Sequence, residues 1–429
     1  MHRIFVPWAV ALTVFADGHA LAQPAAAAAG AATAATTAAR EQRRAAPPLT
    51  LASALRVALD NNPELSAARR EIDAAQGALT QAGAYQNPSL SIEVEDVRRD
   101  SRTTTLLLSQ PFELGGKRAA RIAVAERTVD LADAQLATRQ AGMRASVTAA
   151  FFAALVAQER VRLAQTALEL ASTGSQAAGK RVRSGKVSPV EETRAKVAEA
   201  NVRLELVQAQ GELQTSLQEL RALTAHSVGI DVLDGNALAL PMLPAQEALE
   251  ARLAQAPALR QAQLEVRRLG ALADLENTRR VPDITVSAGV QRAQDPGRNQ
   301  VVVGISVPLP FFDTHRGGIA EALSRRSKAE DEARAVELRL RADVAAALQR
   351  HATARAEVQA LQSEILPGAQ SAFDAARKGF GLGKFDYLET LDAQRTLLRA
   401  RTQHLRAVAD AHRSATDLDR LLGIPVSIP

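Results

Sequence analysis

Four segments of the chain alternate apolar and polar residues with a period of two, the pattern of a strand with one apolar and one wet face. In 89–97, Leu90, Ile92 and Val94 alternate with Ser91, Glu93 and Glu95. In 283–291, Ile284, Val286, Ala288 and Val290 alternate with Thr285, Ser287, Gly289 and Gln291. In 300–308, Val301, Val303, Ile305 and Val307 alternate with Val302, Gly304, Ser306 and Pro308. The segment 103–110 is less regular, because Leu106, Leu107 and Leu108 run together. Polar turns at 96–102 and 292–299 join the four into two predicted hairpins. At about nine to ten residues each, these strands have the length a tilted strand needs to cross a bilayer. Four strands cannot close a barrel and lipid does not tolerate an open sheet edge, so a membrane reading needs three chains and twelve strands. The alternative is a pair of surface hairpins on a helical protein, and the strand pattern alone does not choose.

Most of the remaining chain reads as helix. From Gly116 to Ser184 there is no proline, and Ile122, Ala125, Val129, Ala132 and Leu136 recur at alternating spacings of three and four. That is the seam of a coiled coil. The same character returns from Gly318 to Leu366, with Val336, Leu340, Val344 and Leu348 on one face, and Pro367-Gly368 predicts a kink before the helix resumes toward Lys378. A helix of about 65–70 residues is roughly 100 Å long, far more than a compact domain needs. The flanking helices near 49–86 and 187–223 are about half that length, the first broken by Asn61-Asn62-Pro63. Two short helices stacked end to end match one long one, which implies a tube wall.

The halves repeat each other. Pro63 and Pro88 are 25 residues apart, as are Pro257 and Pro282; Pro111 and Ile122 are 11 apart, as are Pro308 and Ile319. Gly185-Lys186 and Gly383-Lys384 fall at matching places, and the offset between halves drifts only from 194 through 197 to 198. The expected organisation is a signal peptide over 1–22, an Ala-rich low-complexity arm over 23–48, repeat one over 49–224, a linker over 225–244, and repeat two with a C-terminal tail over 245–429. The signal reading rests on Arg3, the apolar stretch Ile4 to Phe15 and Ala20-Leu21-Ala22, with cleavage before Gln23. No later stretch reaches about 18 uncharged apolar residues, so no helical membrane span is expected in the exported chain.

Composition narrows the function. Aromatics are only 3% of the chain, which favours close helix–helix packing over a broad enzyme core. With no cysteine, disulfides, thiolate metal sites and a lipid-anchored N-terminal Cys are excluded. The 52 basic and 47 acidic residues are interleaved, as on solvated helix faces, which argues against a nucleic-acid partner. His226, His315, His351, His404 and His412 are scattered without ligand spacing, and past the leader methionine occurs only at Met143 and Met242, so no metal site and no copper relay is visible. No P-loop, Gly-x-Ser-x-Gly or His-Glu-x-x-His occurs, so neither an enzyme nor a cofactor is expected.

Three stretches then carry a resemblance: Ala58-Leu59-Asp60-Asn61-Asn62-Pro63-Glu64-Leu65, Leu108 to Arg118 with Gln110-Pro111-Phe112-Glu113-Leu114-Gly115-Gly116-Lys117-Arg118, and Val307-Pro308-Leu309-Pro310-Phe311-Phe312-Asp313. Together with the turns near Gly185 and Gly383 they make the chain resemble the TolC-type outer-membrane efflux proteins over about Leu49 to Gly423. Glu-Leu-Gly-Gly-Lys-Arg and Pro-Leu-Pro-Phe-Phe point to the cobalt–zinc–cadmium branch. The resemblance implies a mainly α fold with a small β part. It would be a homotrimer whose periplasmic α-barrel continues into a twelve-stranded β-barrel in outer-membrane lipid. It implies partners too, a periplasmic adaptor and a proton-driven inner-membrane pump of the RND type, and a role as an exit duct for heavy-metal cations. A duct for drug efflux or protein secretion, and a periplasmic coiled-coil scaffold, are the alternatives.

The same resemblance selects candidate residues. The turns Arg183-Ser184-Gly185-Lys186-Val187 and Gly383-Lys384-Phe385 would face the periplasm and meet the adaptor, although helix reversal alone also explains their glycines. Glu389 and Asp392, three apart on one helix face, would form two acidic rings in a trimer and constrict the pore. The plainer reading is a solvated face paired with Arg395 or Arg399. Phe380 and Phe385 stand where drug-exporting relatives use Tyr and Arg to latch the tip, so a latch here is expected to be different in kind.

Overall fold

The computed structural model describes residues 48–96, 98, 101–225, 232–294 and 297–423. The leader, nearly all of the Ala-rich arm and His226 lie outside them. In chain order the elements are α1 (Leu51–Asn61), α2 (Pro63–Ala82), β1 (Ser89–Glu95), β2 (Thr103–Phe112), α3 (Lys117–Arg183), α4 (Pro189–Thr224), α5 (Gln246–Leu253), α6 (Pro257–Thr278), β3 (Ile284–Ala293), β4 (Arg298–Ser306), α7 (Arg316–Ala360), a π turn (Leu361–Ile365), α8 (Leu366–Gly381) and α9 (Tyr387–Leu422).

Asn62 breaks the first helix in the manner its sequence suggests. Its backbone is extended, its side chain accepts from the Glu64 amide at 2.8 Å, and Pro63 takes the first position of α2, where a missing N–H costs nothing. The 67-residue α3 is the spine of the fold. Its buried positions are mostly alanine (Ala125, Ala132, Ala141, Ala154, Ala164, Ala171 and Ala178), which lets neighbouring helices approach closely. By contact, the helices nearer the sheet run α2–α3–α6–α7, and those farther away run α8–α9–α3–α4. One 18-residue window of α3 is apolar enough by composition to span a membrane, but 61% of it is packed inside the protein. Midway along, Val147, Phe151 and Leu155 of α3 meet Leu65, Leu217 and Leu220, capped by Leu233 and Ala237 of the linker. Leu340 and Val344 gather a second cluster with Leu249, Leu259, Leu418 and Leu422.

The strands form one antiparallel sheet of order β1-β2-β3-β4. Its register aligns Leu90 with Leu108, Leu108 with Ala288 and Ala288 with Val303; the next level runs Ile92, Leu106, Val290, Val301. Every alternating apolar residue therefore lands on one face, and that face is exposed, Val303 at 71%. Leu106 and Leu108 share it while Leu107 points the other way, opposite Gly289, which resolves the ambiguous leucine run.

The Glu-Leu-Gly-Gly-Lys-Arg stretch ties sheet to helices and one half to the other. Asp283 accepts from Lys117 Nζ at 2.6 Å and from the Leu114 amide at 3.1 Å. Arg121 pairs with Glu113 and holds its carboxyl below the usual range, and Arg118 Nε donates to the Gly83 carbonyl at 2.7 Å. Gly115 has φ +69, and a Cβ there would lie 2.7 Å from Val281 Cβ, so only glycine fits.

One expectation shifts by a turn. The irregularity in the second long helix is not a kink at Pro367-Gly368 but the π turn just before it, closed by the Leu366 amide on the Leu361 carbonyl. Proline lacks an N–H and crowds the carbonyl four residues back, so the turn that precedes it widens.

Candidate functional site at the helical tips

Both helix reversals farthest from the sheet are built alike. In the first, the Gly185 amide donates to the Val182 carbonyl at 2.9 Å and the Lys186 amide to Arg181 at 3.0 Å; in the second, Gly383 donates to Phe380 at 3.1 Å and Lys384 to Gly379 at 2.9 Å. Gly185 (φ +69) and Gly383 (φ +74) take the left-handed conformation this double bond requires. Ser188 caps α4 by accepting from the Val190 amide at 3.3 Å, and Asp386 caps α9 by accepting from Glu389 at 2.8 Å. Basic residues close α3 (Lys180, Arg181, Arg183) and acidic ones open α4 (Glu191, Glu192), each matching the helix dipole.

Of the candidate tip residues, Arg183, Gly185, Lys186, Gly383, Lys384 and Phe385 are exposed and Val187 is half-buried. Leu382, Leu388 and Val190 add exposed apolar surface beside them. Phe385 folds back over Gly379, where a Cβ would come within 2.3 Å of the ring. The reversals also touch each other through a residue that the sequence did not single out. Arg181 donates to the Phe380 carbonyl and stacks its guanidinium 3.9 Å over the Phe380 ring, whose other neighbour is Tyr387 at 5.9 Å. Tyr387 is buried among Ala178, Ala195, Ala198 and Leu391, and burial pushes its phenol upward. Phe380 thus joins the two hairpins within one chain.

Glu389 and Asp392 are both exposed near the start of α9, and among the described residues neither carboxylate makes an ion pair. Arg395 and Arg399 instead line a cleft of about 980 Å³ that runs between α4 and α9 over the alanines of α3. Asp392 and Arg399, seven residues apart on α9, lie on the same side of that helix without forming an ion pair.

The buried histidines belong to the middle of the fold. His412 stacks on Phe152 with ring centroids 3.8 Å apart, and burial pushes it down to about 4. His351 contacts the Ala411 carbonyl at 3.4 Å, and His404 contacts Gln362 at 3.0 Å. Among the described residues no three His, Asp or Glu side chains converge into a metal-holding group.

The family profile described as "Outer membrane efflux protein" matches residues 54–226 and again 248–424. The sequence is 42% identical to the cobalt-zinc-cadmium resistance protein CzcC of Cupriavidus metallidurans, over 99% of this chain and 100% of the relative. It is 32% identical to the nickel and cobalt resistance protein CnrC of the same organism, over 68% of this chain and 70% of the relative. Among solved structures, CusC superposes with TM-score 0.74 at 18% identity, covering 86% of this chain and 90% of CusC. The outer membrane protein VceC of Vibrio cholerae superposes with TM-score 0.73 at 19% identity, covering 87% and 96%.

Proposed function

The chain belongs to the outer membrane efflux protein family, and from that premise we propose that it is the exit duct through which a tripartite pump expels heavy-metal cations. The 42% identity to a cobalt-zinc-cadmium resistance protein over 99% of the chain carries this reading of the cargo. The protein sits in the outer membrane with a large periplasmic helical part.

The working unit is a homotrimer. A single chain leaves β1 and β4 as open edges, and an open edge in lipid is not tolerated. The helix layers likewise have two sides, ending in α2 and α4 on one and in α7 and α8 on the other. Three copies joined edge to edge give twelve strands, an even number within the range of outer-membrane barrels, with the exposed apolar face toward lipid. The double match of one family profile supports a duplicated chain with repeats at 49–224 and 245–429.

The tips from Arg183 to Val187 and from Gly383 to Phe385 form the periplasmic end, where exposed apolar and basic residues suit an adaptor that bridges to an RND pump. Glu389 and Asp392, exposed and without an ion pair among the described residues, form two acidic rings that attract cations into the narrowest part of the pore. Among the described residues no metal-holding group occurs, and in this reading the pump, rather than the duct, selects the cargo. Deleting the gene should sensitise cells to cobalt, zinc and cadmium but not to dyes or detergents, and the purified protein should scatter light as three chains. Sensitivity to dyes alone would overturn the cargo, and a stable monomer would overturn the architecture.

A further inference from the structure

The lipid-facing side of the sheet is chemically lopsided along its height. Toward the helices it ends at Phe112, exposed and on the same face as Leu106 and Leu108, as in an interfacial aromatic girdle. Toward the hairpin ends it finishes in arginine. Register puts Arg292 level with Thr104 and Asn299, on the same face as Val290 and Val301. Arg102 lies one residue beyond Thr103 on β2, and its carbonyl accepts from the Gln294 amide at 3.0 Å, so it occupies the same face one level farther out. The two arginines are diagonal neighbours on adjacent strands, with Cβ atoms about 7 Å apart.

Depth sets what they meet. Phe112 and Arg102 are ten residues apart on one strand, about 34 Å along it and about 26 Å along the membrane normal at a 40° tilt. The apolar band of such barrels is about 25 Å tall, so Arg102 emerges where headgroup phosphates lie, and Arg292, level with Thr104 and about 5 Å short of that height, reaches it with its long side chain. Both side chains are exposed, and among the described residues neither makes an ion pair. The nearby Asp96 is engaged within its own turn, accepting from the Arg98 amide at 3.1 Å and from Ser101 Oγ at 2.6 Å. Across 96–102 and 292–298 the sequence holds five arginines against three aspartates.

We propose that Arg102 and Arg292 clamp the phosphate of an outer-leaflet lipid headgroup, one site per chain on the outside of the barrel. The two planar forks approach a tetrahedral phosphate from neighbouring strands, and the acyl chains lie down the apolar stripe of Val290, Leu106 and Ile92 below it. Arg298, level with Ala293 on the opposite face, takes no part.

The inference rests on the membrane-barrel reading, and the test separates the two. Native mass spectrometry of the purified full-length protein would be titrated with dioleoyl phosphatidic acid, with dioleoyl phosphatidylcholine, and with soluble glycerol 3-phosphate as competitor. The wild type should prefer phosphatidic acid by about tenfold or more, and Arg102→Gln with Arg292→Gln should abolish the preference while trimers and membrane insertion persist. Each single variant should lose part of the preference, which serves if the double variant assembles poorly. Arg298→Gln should keep it all. An unchanged preference in the arginine variants, an equal loss in Arg298→Gln, or displacement by glycerol 3-phosphate would each overturn the lipid clamp. A wild type that is monomeric and washes off membranes would instead overturn the barrel.

Discussion

A charge placed on the apolar face of the sheet tests the barrel with a calculable penalty. Leu108 lies near the middle of that face, paired with Leu90 on one side and Ala288 on the other, and is 52% exposed in a single chain. An arginine at the bilayer midplane of such a barrel costs about 2–4 kcal/mol. Trimerisation repeats the change three times, so the assembled barrel should lose about 6–12 kcal/mol if the copies act independently. At about 1.4 kcal/mol per factor of ten, even the lower figure shifts assembly by about four orders of magnitude. The neighbouring Ser109→Arg places the same charge on the opposite face, where water in the lumen solvates it. Urea-unfolded chains refolded into phosphatidylcholine vesicles, with trimers read on unheated gels, should give almost none for Leu108→Arg and near wild-type yield for Ser109→Arg. Equal yields for the two variants would refute the lipid-facing assignment, since nothing else distinguishes adjacent positions on one strand so sharply.

Neutralising the acidic rings by Glu389→Gln with Asp392→Asn should lower cation preference in planar bilayers and weaken block by multivalent cations added at the helical end, with trimers intact. Conductance, selectivity and block all unchanged would reduce the two acids to a solvated face. A second expectation concerns pH. Burial lifts Asp419 to about 6 against the attraction of Arg144, so the folded state takes up a proton before the unfolded chain does, and the stability it contributes is lost as pH rises from about 4 through 6. His412, held down near 4, acts oppositely, losing stability as pH falls below its usual 6.5. The two offset each other between pH 4 and 6, and Asp419→Asn should unmask the histidine. Its melting temperature should fall more steeply on acidification than that of the wild type, and parallel profiles would refute the opposition.

Much of this architecture was legible because it is periodic. The period-two runs, the proline-free helix, the break at Asn61-Asn62-Pro63 and the glycine turns at Gly185 and Gly383 act over a few residues, so their structural meaning is local. The leucine run of β2 was not, because its facing depends on pairing with β3 some 180 residues away in sequence. Glu-Leu-Gly-Gly-Lys-Arg was visible as a motif, yet its task of holding Asp283 and crossing Val281 emerges only when the halves meet. Arg181 escaped notice for a similar reason: Lys180 and Arg183 share its helix end and charge, and only the approach of Phe380 sets it apart.

The π turn carries a consequence for how the two halves stay in step. The first rod runs 67 residues from Lys117 to Arg183, and the second runs from Arg316 to Gly381 with the π turn inside it. In an ordinary helix each residue turns the side chains beyond it by about 100°. The wider turn at Leu361–Ile365 takes up one residue without passing that rotation on. Beyond it Phe373 faces Leu397 and Ala400 of α9, and the reversal at Gly383 has the same left-handed glycine as the one at Gly185. A small defect in the rod thus sets the facing of the tip separately from that of the shaft.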